Sequence, residues 1–182
     1  MTSPPATPED VVAFWRDAGP SRWYRKDESF DRMFRDRFLA THEAAARGDL
    51  HGWLATPDGA LALCILLDQF PRNAFRGSAR MFATDAQARD VARSALANRF
   101  DHAVEDALRQ FFVMPFMHSE DLADQQLCVR LSRELPTDTL RYAEQHRDII
   151  ERFGRFPHRN AVLARATTAE EQRFLDEGGF SG

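Results

Sequence analysis

Three short phrases in this chain place charged and titratable side chains at the ends of apolar segments. Leu67-Asp68-Gln69-Phe70-Pro71-Arg72-Asn73 closes one hydrophobic run. Pro115-Phe116-Met117-His118-Ser119-Glu120 closes a second, and Arg155-Phe156-Pro157-His158-Arg159-Asn160 follows a third. Each holds a proline, which has no N–H and cannot continue a helix interior. Each phrase therefore reads as a corner where backbone groups are released and polar side chains can converge. The chemistry on offer is anion binding and proton transfer. Arg presents a fork of donors that fits carboxylate or phosphate, and His titrates near neutral pH and can donate to an anion. The candidate ligand-binding set is Asp68, Arg72, Asn73, His118, Glu120, Arg155, His158, Arg159 and Asn160, with His118 and Glu120 as the candidate acid–base pair.

Each assignment has a plainer counterpart. Asp68 can pair with Arg72 or Arg76 merely to hold a helix stop near Gln69, because Pro71 biases Phe70 towards extended geometry. Ser119 reads as an N-cap, and Glu120 and Asp121 read as complements to a helix dipole. His146 shares a helical face with Tyr142, Ile149, Ile150 and Phe153, which predicts a hydrogen-bonded core histidine. Arg155, His158 and Arg159 crowd positive charge near a helix start; if neither Glu120 nor Asp68 neutralises them, a bound anion is expected. His118-Ser119-Glu120 has the H-x-E of zinc deaminases, but no P-C-x-x-C follows. The chain has no H-E-x-x-H, no Glu followed three residues later by His, no glycine-rich phosphate loop and no G-x-S-x-G. Neither a metal nor a cofactor is expected.

The elements that must position these corners are helices. Thr7-Pro8-Glu9-Asp10 and Thr56-Pro57-Asp58 each supply a cap and an N1 proline. Thr84-Asp85, Ser119-Glu120-Asp121, Thr137-Asp138 and Thr168-Ala169-Glu170-Glu171 open further helices. No alternating β-branched run appears, so the chain is read as all-α. Helices are expected at 8–18, 28–47, 58–69, 84–98, 103–117, 120–134, 138–153, 158–164 and 168–177. Short links make neighbours antiparallel. Three hairpins result, 58–69 with 84–98, 103–117 with 120–134, and 138–153 with 158–177, at a spacing close to helical-hairpin repeats. A single domain over 8–177 is expected, with loose ends at 1–7 and 178–182.

Composition narrows the function classes. With 182 residues, 43% hydrophobic and 29% charged, the chain can bury one sizeable core. Its 15 Phe make that core rich in rings, with Trp15, Trp23 and Trp53 also expected inside. Net charge −4 argues against a nucleic-acid partner, which needs a basic face. No apolar run approaches a membrane span and no leader precedes the first helix, so a soluble, cytoplasmic protein is expected. Cys64 and Cys128 lie in apolar helical runs and are read as buried free thiols.

The three phrases, with Arg152-Phe153-Gly154 leading into the third, resemble the bacterial domain-of-unknown-function family 924 from about Val11 to Leu175. Leu163-Ala164-Arg165 departs from the family's Leu-Gly-Arg at one turn. The resemblance implies an all-α fold of stacked hairpins similar to tetratricopeptide repeats, and it implies no activity, cofactor or catalytic residue. Three functional readings stand beside one another. The first is a hairpin stack whose polar pocket binds a small anionic molecule or a peptide. The second is a metal-independent enzyme in that pocket, with His118 as acid or base and Glu120 tuning it. The third is a scaffold whose polar phrases only tie helix ends together.

Overall fold

A computed structural model describes residues 6–135 and 138–180, and among them it contains helices and turns but no strand. The expected loose residues 1–5 and 181–182, and Thr137 as a helix opener, lie outside the described residues. Helix α1 (Pro8–Ala18) starts on a capping box in which Thr7 Oγ1 accepts from Asp10 N while Asp10 Oδ2 accepts from Thr7 N. The short α2 (Pro20–Trp23) follows, then α3 (Glu28–Ala46), capped by Asp27. Thr56 caps α4 (Pro57–Cys64) through the Gly59 N–H.

The spacing predicts a stop near Gln69, yet the chain does not stop there. It widens into a π-turn at Ile65–Gln69, where the Phe70 N–H reaches back five residues to the Ile65 carbonyl, and continues as α5 (Phe70–Ala74). The widened turn lets Pro71 sit in the first turn of α5, where a missing N–H costs nothing. Thr84 does not cap α6 (Asp85–Ala97), because its hydroxyl is used elsewhere. The expected helix over 103–117 is broken. Residues Phe100–Ala103 and Asp106–Phe112 form 3₁₀ turns, and only α7 (Met114–Met117) is α-helical, with Pro115 in its first turn. Asp121, not Ser119, caps α8 (Leu122–Ser132) by accepting from Ala123 N and Asp124 N. Helix α9 (Thr139–Phe153) ends at Gly154, whose φ of +69° favours a residue without Cβ. The expected helix 158–164 is a 3₁₀ turn at Pro157–Arg159 followed by a bend, closed by Arg165 N donating to the Asn160 carbonyl, with Ala164 left-handed at φ +53°. A second capping box, Thr168 with Glu171, opens α10 (Ala169–Asp176).

Helix α4 packs against α1 and α6, α3 against α5, and α8 against α7 and α9. The core is rich in rings: Trp15, Phe30, Phe34, Phe38, Phe70, Phe111, Phe112 and Phe116 are all buried. Trp15 meets Phe111 edge-on at 5.4 Å between ring centres, and Trp23 does so at 5.0 Å. A smaller cluster of Ile149, Ile150 and Phe156, joined by Phe153, Phe174 and Phe180, ties α9 to the C-terminal segment. Tyr142, expected on the buried face of α9, is exposed. No described helix is long and apolar enough to cross a membrane.

Candidate functional site

The π-turn prepares the site. Widening a helix and then inserting a proline strips carbonyls of their usual N–H partners, and a buried bare carbonyl is costly. Side chains from three other places answer. His42 Nδ1 lies 2.9 Å from the Leu66 carbonyl, Thr84 Oγ1 donates to the Leu67 carbonyl at 2.6 Å, and Arg72 Nη1 donates to the Asp68 carbonyl at 2.7 Å. Asp68 is thereby fixed with its carboxylate pointing at α7.

The first two phrases meet there. Nδ1 of His118 lies 2.7 Å from Asp68 Oδ1 and 3.0 Å from Oδ2, while Gln69 Nε2 donates to Oδ2 at 2.6 Å. Arg72 Nη1 is 3.2 Å from Asp68 Oδ1, and both of its terminal nitrogens donate to Asp85 at 2.9 and 3.1 Å. Burial alone would raise the Asp68 carboxyl, but Arg72 and His118 outweigh it and hold the group well below the usual carboxylate range. Burial, with Arg72 adding to it, pushes the His118 imidazole below its ordinary value despite Asp68. His118 is thus neutral near pH 7. In that state its Nδ1–H donates to Asp68 and its Nε2 keeps a lone pair with no partner among the described residues.

Arg159 brings in the third phrase. Its Nη2 donates to the His118 carbonyl at 2.9 Å, and its Nη1 stands 3.6 Å from Asp85 Oδ2, beyond hydrogen-bonding distance. The guanidinium is sandwiched between Phe82 at 4.4 Å and Phe156 at 4.6 Å. Arg159 is 6% exposed, and its Nε is buried without any partner. Burial and the neighbouring Arg72 lower this guanidinium to about 10. His158 follows the same pattern: its Nδ1 is buried and unpartnered, and burial with Arg159 pushes it down to about 4. His146 lies beside His118 with ring centres 6.5 Å apart.

The remaining candidates fall into two further groups. Glu120 does not approach His118 as a partner. Arg165 grips it at 2.7 and 2.9 Å, and its Oε1 accepts the Phe156 N–H at 2.8 Å. Arg165 Nε donates to Asn160 Oδ1, Asn160 Nδ2 donates to Glu171, and Arg155 clamps Glu171 at 2.6 and 2.9 Å. That network closes on itself. Asn73 faces the opposite way, donating to Asp31 at 2.9 Å beside Arg76, on the wall of an open groove of about 620 Å³ along α3. Asp85, Arg165, Glu171 and Phe82 complete these groups without being candidates from sequence. Asp85 and Glu171 looked like ordinary helix-opening acids, and only their distant Arg partners reveal the second role. Among the described residues no cluster of His, Cys, Asp and Glu is placed to hold a metal ion.

The family model described as "Bacterial protein of unknown function (DUF924)" matches residues 11–179. The chain is also similar to the solved structure of a protein of unknown function from Agrobacterium tumefaciens, with 53% identity and a TM-score of 0.92 over 94% of this chain and 97% of that one. No curated protein matches the sequence.

Proposed function

The chain belongs to the DUF924 family of bacterial proteins of unknown function, and from that premise we propose that the corner joining Asp68, Arg72, His118 and Arg159 binds a small anionic ligand. One observation carries this reading: among the described residues, the buried guanidinium of Arg159 has its Nε unpartnered and no carboxylate oxygen within hydrogen-bonding distance. Such a group is expensive unless something completes its hydrogen bonds. Arg72 is already satisfied by Asp85 and Asp68, so Arg159 is the ligand's main donor and His118 Nε2 the second. The test is a thermal-shift screen with acetate, pyruvate, phosphate and short acidic peptides. A ligand present at 100 times its Kd stabilises by about 2.7 kcal/mol. For a chain of this length, that raises Tm by roughly 5–10 °C. The shift should vanish in Arg159→Gln. An equal shift in that variant, or no shift with any probe, would reject the reading.

A second reading has its own support. The Asp68–His118 pair at 2.7 Å orients an imidazole with a free Nε2, the arrangement of a general base held by a carboxylate. In this enzyme reading Asp68 takes the orienting role that the sequence gives to Glu120. Turnover lost in His118→Gln with ligand affinity retained would favour it over binding alone.

A further inference from the structure

The charges in this corner are balanced before any ligand arrives. Arg72 and Arg159 carry two positive charges, and Asp68 and Asp85 carry two negative ones. The adjoining network is balanced too, with Arg165 against Glu120 and Arg155 against Glu171. A buried anion would leave one charge uncompensated, at a site where screening by water is weak. One added proton restores neutrality, and the neutral bases of this corner able to accept it are His118, His146 and His158. His146 Nδ1 already meets the Tyr142 carbonyl at 2.7 Å, and its ring is covered by Phe180 at 4.5 Å. His158 sits beside Arg159, its Nδ1 is unpartnered among the described residues, and the pull of Glu120 does not offset burial and Arg159. His118 alone has a carboxylate on one nitrogen and an unpartnered second nitrogen.

We infer that the site takes a monoanion, of the carboxylate class, together with one proton, and that the proton resides on Nε2 of His118. This rests on the anion-binding reading above. In the loaded state His118 Nδ1–H stays on Asp68, the new Nε2–H donates to a carboxylate oxygen, and Arg159 Nε–H donates to the same ligand. Three positive charges then face three negative ones. A dianion would need a second proton, so phosphate in its doubly charged form and sulfate are disfavoured. The groups facing His118 are Asp68 from the π-turn, Arg72 from α5, Asp85 from α6, His146 from α9, and Arg159 from the 3₁₀ turn at Pro157–Arg159. Of these, His146 is held neutral by burial, Asp68 lies well below the usual carboxylate range, and Arg159 is lowered only to about 10.

The experiment is calorimetric titration of wild-type protein with acetate and pyruvate in buffers of different ionisation enthalpy. Between pH 7 and 9 about one proton should be taken up per ligand bound, and Kd should rise about tenfold per pH unit. Proton uptake should fall to zero in His118→Gln, and sulfate should bind more weakly than acetate. Should that variant not fold, ¹⁵N histidine spectra of the wild type give the same readout, with one imidazole becoming doubly protonated on adding acetate. Binding without proton uptake, or uptake that persists in His118→Gln, would overturn the inference while leaving the anion site standing. Absence of binding by acetate, pyruvate and phosphate alike would overturn both.

Discussion

Replacing His146 by phenylalanine should reduce the stability the protein loses between neutral and acid pH. Burial, with His118 adding to it, pushes this imidazole down to about 3, whereas the unfolded side chain titrates near its ordinary 6.5. Between those two values the unfolded chain binds a proton that the folded chain refuses. Stability therefore falls as pH drops through 6.5 and levels off below about 3. At pH 5 the loss is about 1.5 units at 1.36 kcal/mol each, or roughly 2 kcal/mol. The ring lies edge-on to Phe156 at 5.5 Å and Phe180 at 4.5 Å, so phenylalanine has an aromatic niche to enter. The Tyr142 carbonyl that meets Nδ1 belongs to the preceding turn of α9 and keeps its helical N–H. Phenylalanine is larger than histidine, so His146→Phe should stay folded at pH 7.5 at a cost of up to about 3 kcal/mol. Its loss on going to pH 5 should be about 2 kcal/mol smaller, a difference of roughly 4–8 °C in Tm. Urea titrations followed by far-UV circular dichroism at both pH values measure this directly. Equal acid losses in the two proteins would refute the reasoning. Unfolding of the variant at pH 7.5 would show instead that the imidazole nitrogens satisfy buried partners.

Further outcomes follow from other sites. Thr84→Val should cost about 1–3 kcal/mol by leaving the Leu67 carbonyl bare. The cost should shrink in a Pro71→Ala background, where an N–H returns nearby; identical costs in both backgrounds, by urea denaturation, would contradict this. Ala164→Gly should gain about 0.5–1 kcal/mol, since relief of the left-handed φ of +53° exceeds the entropy that glycine adds to the unfolded chain, and a lowered Tm would count against it. Cys64 and Cys128 are fully buried, and burial raises both thiols, Cys128 to about 12. Neither should react with an aqueous disulfide reagent until urea is added, and rapid labelling of the native protein would disprove the assignment.

Helix starts were the most legible part of the architecture. Thr7, Thr56 and Thr168 cap as their neighbours predict, because a cap and its first turn form a local unit. Prolines were harder to read. Pro71 and Pro115 both lie in first turns, but what precedes them depends on the whole packing: a widened helix in one case, a 3₁₀ segment in the other. Ser119 and Thr84 look like caps of their helices but do other work: Ser119 Oγ accepts the Asp121 N–H one step before the helix and donates to Asp124, and Thr84 Oγ1 donates to the Leu67 carbonyl. At the candidate site, types and corners were visible while partners were not. Asp68, Arg72, His118 and Arg159 converge, but Glu120, Arg155 and Asn160 join a neighbouring closed network, and Asn73 faces a different groove. A sequence shows that a residue wants a counter-charge; only the fold decides which one is in reach.

The wide turn at Ile65–Gln69 holds one more residue than regular helical winding would. Successive residues advance around a helix axis by about 100°. That surplus residue therefore sets the angular phase of everything that follows, and it aims Arg72 at Asp85 and Asn73 at Asp31. Losing a single codon between Cys64 and Phe70 would leave an apolar, helix-compatible segment behind. It would also swing the side chains of α5 by nearly a third of a revolution, uncoupling Arg72 from Asp85 and Asn73 from Asp31 at once. A residue removed from an exposed connecting loop leaves the phase of the flanking helices intact, whereas one removed from this buried stretch does not.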